Sequence, residues 1–259
     1  MARFRVLVPV DVSRDFEPSA QLFRLLEAFD PVILGYYPIP EQTTPEQARG
    51  QFEAEAVDRV EEVAAPFVAS GLDVESVLVF TPDRAETIDR VAEEYACDAV
   101  LSPGEIERLE RVLVPVRGGT NLDRIVAFVD ALVAEVTVEV TLLHVAPEPD
   151  RRDESELLLR GARERLVERD LDAGLFDLEV RVAERPIPAI AEVAATHDAV
   201  VIGETAPSLK ERIFGDRPER LVETVSCPVL IVRKDHAAPD ADAESDPSDS
   251  VPDSRSETS

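Results

Sequence analysis

Short apolar runs alternate with longer stretches in which apolar residues recur every three or four positions, and the alternation continues through most of the chain. The runs Arg5 to Val10, Val32 to Tyr36, Val74 to Phe80 and Ala99 to Ser102 predict four strands. Between them the spacing predicts helices from about Glu17 to Phe29, Glu46 to Ala69 and Arg84 to Ala96. Phe52, Ala56, Val60, Val63 and Phe67 keep the 3.6 period, as do Ile88, Val91 and Tyr95. The same order then returns: strand Val112 to Val116, helix Leu122 to Ala134, strand Val138 to Val145, helix Glu154 to Leu171, strand Leu178 to Val182, helix Ile187 to Ala195 and strand Ala199 to Ile202. Only this second time do a further helix, about Pro218 to Val225, and a fifth strand, Val229 to Val232, follow. Strands alternating with helices predict an α/β fold with a doubly wound parallel sheet.

The recurrence is visible in the residues themselves. RVLVPV stands at Arg5 to Val10 and again at Arg111 to Val116, and Asp98-Ala99-Val100 returns as Asp198-Ala199-Val200. Each of the latter is followed by Gly-Glu, at Gly104-Glu105 and Gly203-Glu204. Matches in the same order at similar offsets indicate two copies of one unit, 1–105 and 111–233. The first copy runs from Gly104 directly into the second and has lost its last helix and strand. From 234 to 259 the chain is acidic, rich in Ser and Pro and without aromatic residues, which predicts a disordered tail.

The stretch from Ala199 to Arg233 carries the strongest chemical suggestion. A strand ends at Gly203, a polar loop continues to Gly215 and Asp216, and Pro218 suits a first helical turn. Loops of this kind lie at the carboxyl end of a parallel strand, where backbone N–H groups and a helix N-terminus can hold an anion. Arg117-Gly118-Gly119-Thr120-Asn121 forms a second glycine turn before a helix, with Asn121 as its expected N-cap.

Charge narrows the partners. The 259 residues include 54 Asp plus Glu against 27 Lys plus Arg, a formal charge of −27, and Lys210 and Lys234 are the only lysines. That excess argues against nucleic acid or an anionic membrane as a partner. It suits concentrated intracellular salt, where a Debye length of roughly 3 Å at 1 M screens self-repulsion. No run approaches the ~20 apolar residues that span a bilayer and no leader opens the chain, so a cytoplasmic protein is expected. Cys97 and Cys227 stand in no metal-type spacing and read as small core residues. His144 reads as a packed core imidazole, and His144, His197 and His236 form no metal pattern. With no Walker A, GxSxG or HExxH sequence, no enzymatic constellation can be assembled.

VLVPVD (Val6 to Asp11), TLLHVAPEP (Thr141 to Pro149) and AVVIGE…GDRPERLVETVSCPVLIVR together resemble the universal stress protein (UspA) superfamily, in a tandem two-copy form and, with this composition, from a halophilic archaeon. The resemblance covers residues 1 to 233 and is strongest in the second copy. It implies two Rossmann-like units, of the adenine nucleotide alpha hydrolase-like kind, with strand order 3-2-1-4-5. In the family, an Asp after the first strand touches adenine, and a G-x-x-G-x9-G-[ST] loop wraps the phosphates.

Transferred to this chain, the resemblance implies a nucleotide site drawn from Asp11, Val116, Arg117, Gly118, Gly203, Thr205, Ser208, Lys210, Gly215 and Asp216. The pattern is incomplete. The second loop glycine is Ala206, the spacing to Gly215 is one residue short, and the final hydroxyl is replaced by Asp216. Asp11 has Arg117 as its counterpart, so neither copy carries the whole site. Two unit charges ~4 Å apart at an effective dielectric of ~20 repel by about 4 kcal/mol, so Asp216 would weaken phosphate binding by about three decades. The expectation is a non-enzymatic stress-response or regulatory protein with a degenerate pocket and no cofactor. ATP or AMP, held weakly through altered contacts from Lys210, Arg212 or Arg117, is the alternative. The protein partner is unknown from sequence. A lone fifth strand, Val229 to Val232, is expected to pair with another chain in a homodimer.

Overall fold

The computed structural model describes residues 3–16, 18–118, 121–204 and 221–234. The chain forms β1 (Arg5–Asp11), α1 (Ala20–Leu26), β2 (Asp30–Pro38), α2 (Pro45–Ala69), β3 (Glu75–Thr81), α3 (Arg84–Glu94) and β4 (Ala99–Ser102). It continues with β5 (Arg111–Pro115), α4 (Leu122–Glu135), β6 (Glu139–Ala146), α5 (Arg152–Val167), β7 (Phe176–Val182), α6 (Pro186–Ala194), β8 (Ala199–Gly203) and β9 (Val229–Val232). Every strand expected from the pattern is present. Helix ends differ where caps decide them. Ser19 accepts the Leu22 N–H and starts α1 later than the periodicity suggested. Asp170, at φ +67°, lies beyond the end of α5, short of Leu171. Of the helix expected from about Pro218 to Val225, residues 218–220 lie outside the described residues, Leu221 and Val222 are helical, and a turn follows at Glu223 and Thr224; all but Lys234 of the tail 234–259 also lies outside them.

Among the described residues the nine strands form one sheet, ordered β3-β2-β1-β4-β9-β8-β5-β6-β7. The second half reads β7-β6-β5-β8-β9, which is the 3-2-1-4-5 order that the resemblance implied. β9 overturns one expectation. It pairs parallel with β8 (Val200 opposite Val229) and antiparallel with β4 (Ala99 opposite Val232). Both of its edges are therefore taken within the chain, so Val229–Val232 offers no ladder to a second copy.

The antiparallel β4–β9 junction also explains the missing elements of the first half. The two halves point in opposite directions, so β4 ends at the same edge of the sheet where β5 begins. Parallel neighbours need a long crossover; here residues 103–110 have only to pass three strand spacings, roughly 14 Å, well within their extended reach of about 26 Å. β9 then serves as fifth strand to both halves.

One core cluster runs across the face under α1, α2, α4 and α5, from Val6 and Val8 through Phe67 to Val140 and Leu159. Its centre is aromatic: Phe128 of α4 stacks on Phe29 at 4.4 Å and meets Phe4 edge-on at 5.3 Å. On the other face, α3 and α6 each cover a smaller cluster. The repeated Asp residues share a task at the amino edge. Asp98 Oδ2 accepts the Arg5 N–H at 2.7 Å, and Asp198 Oδ2 accepts those of Glu110 and Arg111, each at 2.9 Å. Asp98 also joins the halves, because its other oxygen accepts from Arg124 of α4 at 2.6 Å.

Candidate functional site

A doubly wound sheet presents its ligand crevice at the carboxyl ends of strands one and four. This chain has two such places, and the reversal at β4–β9 puts them on opposite edges of the sheet.

At the first, Asp11 is the last residue of β1. Its Oδ1 accepts the N–H (3.0 Å) and the hydroxyl (2.6 Å) of Ser13, and its Oδ2 lies 3.6 Å from Arg14. The carboxylate is thus spent on its own turn. Arg59 of α2 donates to the Val12 carbonyl at 2.6 Å and ties that turn down. Beside it, Arg84 lies over the Tyr36 ring, whose hydroxyl burial pushes to a higher pKa. Across the crevice, Gly104 is no phosphate loop. A Cβ there would lie 2.4 Å from the Cys227 carbonyl carbon and 2.5 Å from the Ser226 oxygen. The glycine exists so that the segment leading into β9 can pass, and Glu105 N–H donates to the Ser226 carbonyl at 2.8 Å to hold it. Ser19 Oγ, at the head of α1, donates to the Ile106 carbonyl at 3.2 Å and secures the linker over the same ground.

At the second, Val116 is buried and bonded to β6 through Leu143, while Arg117 and Gly118 emerge into solvent. His144 is half-buried at the end of β6, not packed in the core as expected. Its Nδ1 lies 2.7 Å from the Val116 carbonyl, an acceptor, which fixes the Nδ1–H tautomer. Asn121 takes the N-cap position of α4 at φ +69° but makes no capping bond; its amide instead donates to the Val232 carbonyl at 3.5 Å. Gly203 lies under α4, where a Cβ would meet Ile125 Cδ1 at 2.8 Å. Glu204 clips the strand ends, with its N–H on Val232 O (2.7 Å) and its carboxylate accepting from Lys234 N–H (3.0 Å).

The structure therefore brings Val116, Arg117, Gly118 and Gly203 to one edge and leaves Asp11 at the other. Thr205, Ser208, Lys210, Gly215 and Asp216 lie outside the described residues. Glu204 and His144 join this edge without having been singled out for it. Only the register of β6 against β5 places His144 beside Val116, and that is not written in either strand.

A cavity of about 560 Å³ lies at the opposite end of β8, between linker residues 105–108, the end of α6 and residues 224–227. His197 lines it but is internally satisfied: Nδ1 meets the Val193 carbonyl and Nε2 the Thr141 hydroxyl, both at 2.9 Å. Burial lowers its pKa below the usual 6.5. The unfolded chain then takes up the proton first, so this residue's contribution is complete above about pH 6.5 and is lost as pH falls toward the folded value. Melting of wild type between pH 7 and 5.5 should show a decline that His197→Gln flattens; equal slopes would refute the assignment. Cys97 is buried and its thiol is pushed up to about 11, so it stays protonated. Cys227 is only half-buried, which corrects the reading of both as core residues. Among the described residues no His, Cys, Asp and Glu group is arranged to hold a metal, and no helix is long and apolar enough to cross a membrane.

The fold defines an α/β protein with a mainly parallel sheet of the Rossmann-like kind. Residues 108–233, just under half of the chain, match the model of the universal stress protein family. No curated protein matches the chain. Among solved structures, a universal stress protein from Archaeoglobus fulgidus DSM 4304 shares the fold at 16% identity, over 89% of this chain and 96% of that one, with a TM-score of 0.60. So does a functionally unknown protein from Pseudomonas aeruginosa PAO1, at 15% identity over 90% and 93%, with a TM-score of 0.52.

Proposed function

We propose that this is a non-enzymatic stress-response or regulatory protein of the universal stress type, a tandem pair whose nucleotide pocket is degenerate, working in the cytoplasm of a salt-rich cell. The observation that carries the reading is the seal at Gly104. Where the first half would need an open loop to wrap phosphates, backbone of residues 226 and 227 fills the space. The second half has an exposed Arg117 where the family's adenine-binding Asp would stand, and the sequence of its loop carries Asp216. Exposed Arg117 beside Gly118 and Gly203 favours one alternative, that ATP or AMP binds at this edge through altered contacts, with Lys210 and Arg212 as further cations.

Denaturing the purified protein and examining the supernatant by absorbance and mass spectrometry should reveal no stoichiometric nucleotide. Calorimetry should give ATP binding no tighter than high micromolar, and Asp216→Ser should tighten it, most clearly at moderate salt. Low-micromolar binding weakened by Arg117→Ala or Lys210→Ala would replace the degenerate reading with the alternative.

A further inference from the structure

The cavity at the amino end of β8 lies at the opposite end of that strand from Arg117 and Gly203, and the proposed function makes no use of it. Its volume of about 560 Å³ is that of a small-molecule pocket. One wall is apolar, made by Ala191 and Ala195 at the carboxyl end of α6, by Val225 and by Cys227. Ala191, Val225 and Cys227 pack on the core cluster under α6 yet stay half-buried, and Ala195 is exposed, so apolar surface is left open inside.

The facing wall is the linker, and it is tied in place. The Ile106 carbonyl accepts from Ser19 Oγ at 3.2 Å, the Glu105 N–H donates to the Ser226 carbonyl at 2.8 Å, and Arg108 pairs with Asp198 at 3.3 Å. On this fixed segment Glu105 and Glu107 line the cavity, and neither carboxylate has a hydrogen bond or ion pair among the described residues. The charges around the space do not cancel. Among the described residues that line it, Glu105, Glu107 and Asp198 are anionic, and the one cation, Arg108, is taken by Asp198. His197 has both nitrogens bonded and stays neutral at pH 7. Arg111, near enough to His197 to oppose its protonation, is outside the lining. The carboxyl end of α6 adds the negative end of a helix dipole, and no basic residue stands in its last turn to offset it.

We propose that this cavity binds a small organic ammonium ion, with its charged head at Glu105 and Glu107 and its short alkyl stem on Ala191, Ala195 and Val225. An inorganic cation would leave the apolar wall wet, and a neutral alcohol would leave the two carboxylates without a counter-charge. Because the linker is already held at three points, little ordering opposes binding. The site is separate from the nucleotide edge, so its occupancy does not depend on whether that edge takes ATP.

Cys227 supplies a reporter inside the cavity, since the other thiol, Cys97, is buried. N-ethylmaleimide should label Cys227 in the native protein and spare Cys97, and Cys227→Ser should abolish the labelling. Saturating n-butylammonium chloride, compared with sodium chloride at equal ionic strength, should slow labelling about fivefold or more by mass action. Ammonium chloride and n-butanol should leave it unchanged. Glu105→Gln with Glu107→Gln, both at exposed positions, should melt as wild type does and label at the same rate when free. That variant should need about tenfold more butylammonium for half-protection. Absence of protection by butylammonium overturns the proposal, as does equal protection by n-butanol or protection that survives the double glutamine variant. So does a Cys227 that will not label, because the thiol would then line no open cavity.

Discussion

A chain ended after Ser226 should not fold, whereas one ended after Lys234 should melt almost as the full chain does. Val229, Leu230 and Val232 are each no more than 1% exposed. At about 1.5–3 kcal/mol per buried side chain, their loss alone removes roughly 5–9 kcal/mol of a total of about 5–15. The loss does not stop there, because β9 is the ladder partner of both β4 and β8. Without it two strand edges and the apolar residues beside them are opened in the middle of the sheet. Circular dichroism and a urea titration in molar salt would decide. A cooperative transition in the shorter chain would mean that β9 is a peripheral addition, as a strand reserved for a second copy would be.

Phe128→Ala should be the most damaging single core change, costing about 3–5 kcal/mol. Phe128 is fully buried on α4, while its ring partners Phe4 and Phe29 belong to the first half. Truncation leaves a cavity on the contact that joins the halves, so both should lose stability together in one calorimetric transition. Phe52→Ala, on the half-buried ring that stacks on Tyr37 inside the first half at 5.0 Å, should cost less. A loss below about 1 kcal/mol for Phe128→Ala, or two separate transitions in wild type, would show that the halves do not depend on this contact.

The sequence by itself determined the elements, their order and their recurrence. Periods of two and 3.6 are local properties, written in residues such as Val60, Val63 and Phe67, and caps moved only the ends. The recurrence of RVLVPV and of Asp98-Ala99-Val100 marked equivalent places, and both Asp residues proved to clip strand one to strand four. The incomplete loop could also be read directly, since Ala206 and Asp216 are facts of composition. What only the tertiary structure decided was which strand lies beside which. VLIV at Val229–Val232 is apolar on both sides and specifies no neighbour; it took its place between β4 and β8 because both halves lacked a fifth strand there. That placement reversed one half against the other, carried Asp11 to the edge opposite Arg117 and Gly203, and turned Gly104 from a candidate ligand loop into clearance for a passing backbone. These outcomes depend on contacts between residues more than a hundred positions apart, and no local pattern of polar and apolar positions encodes them.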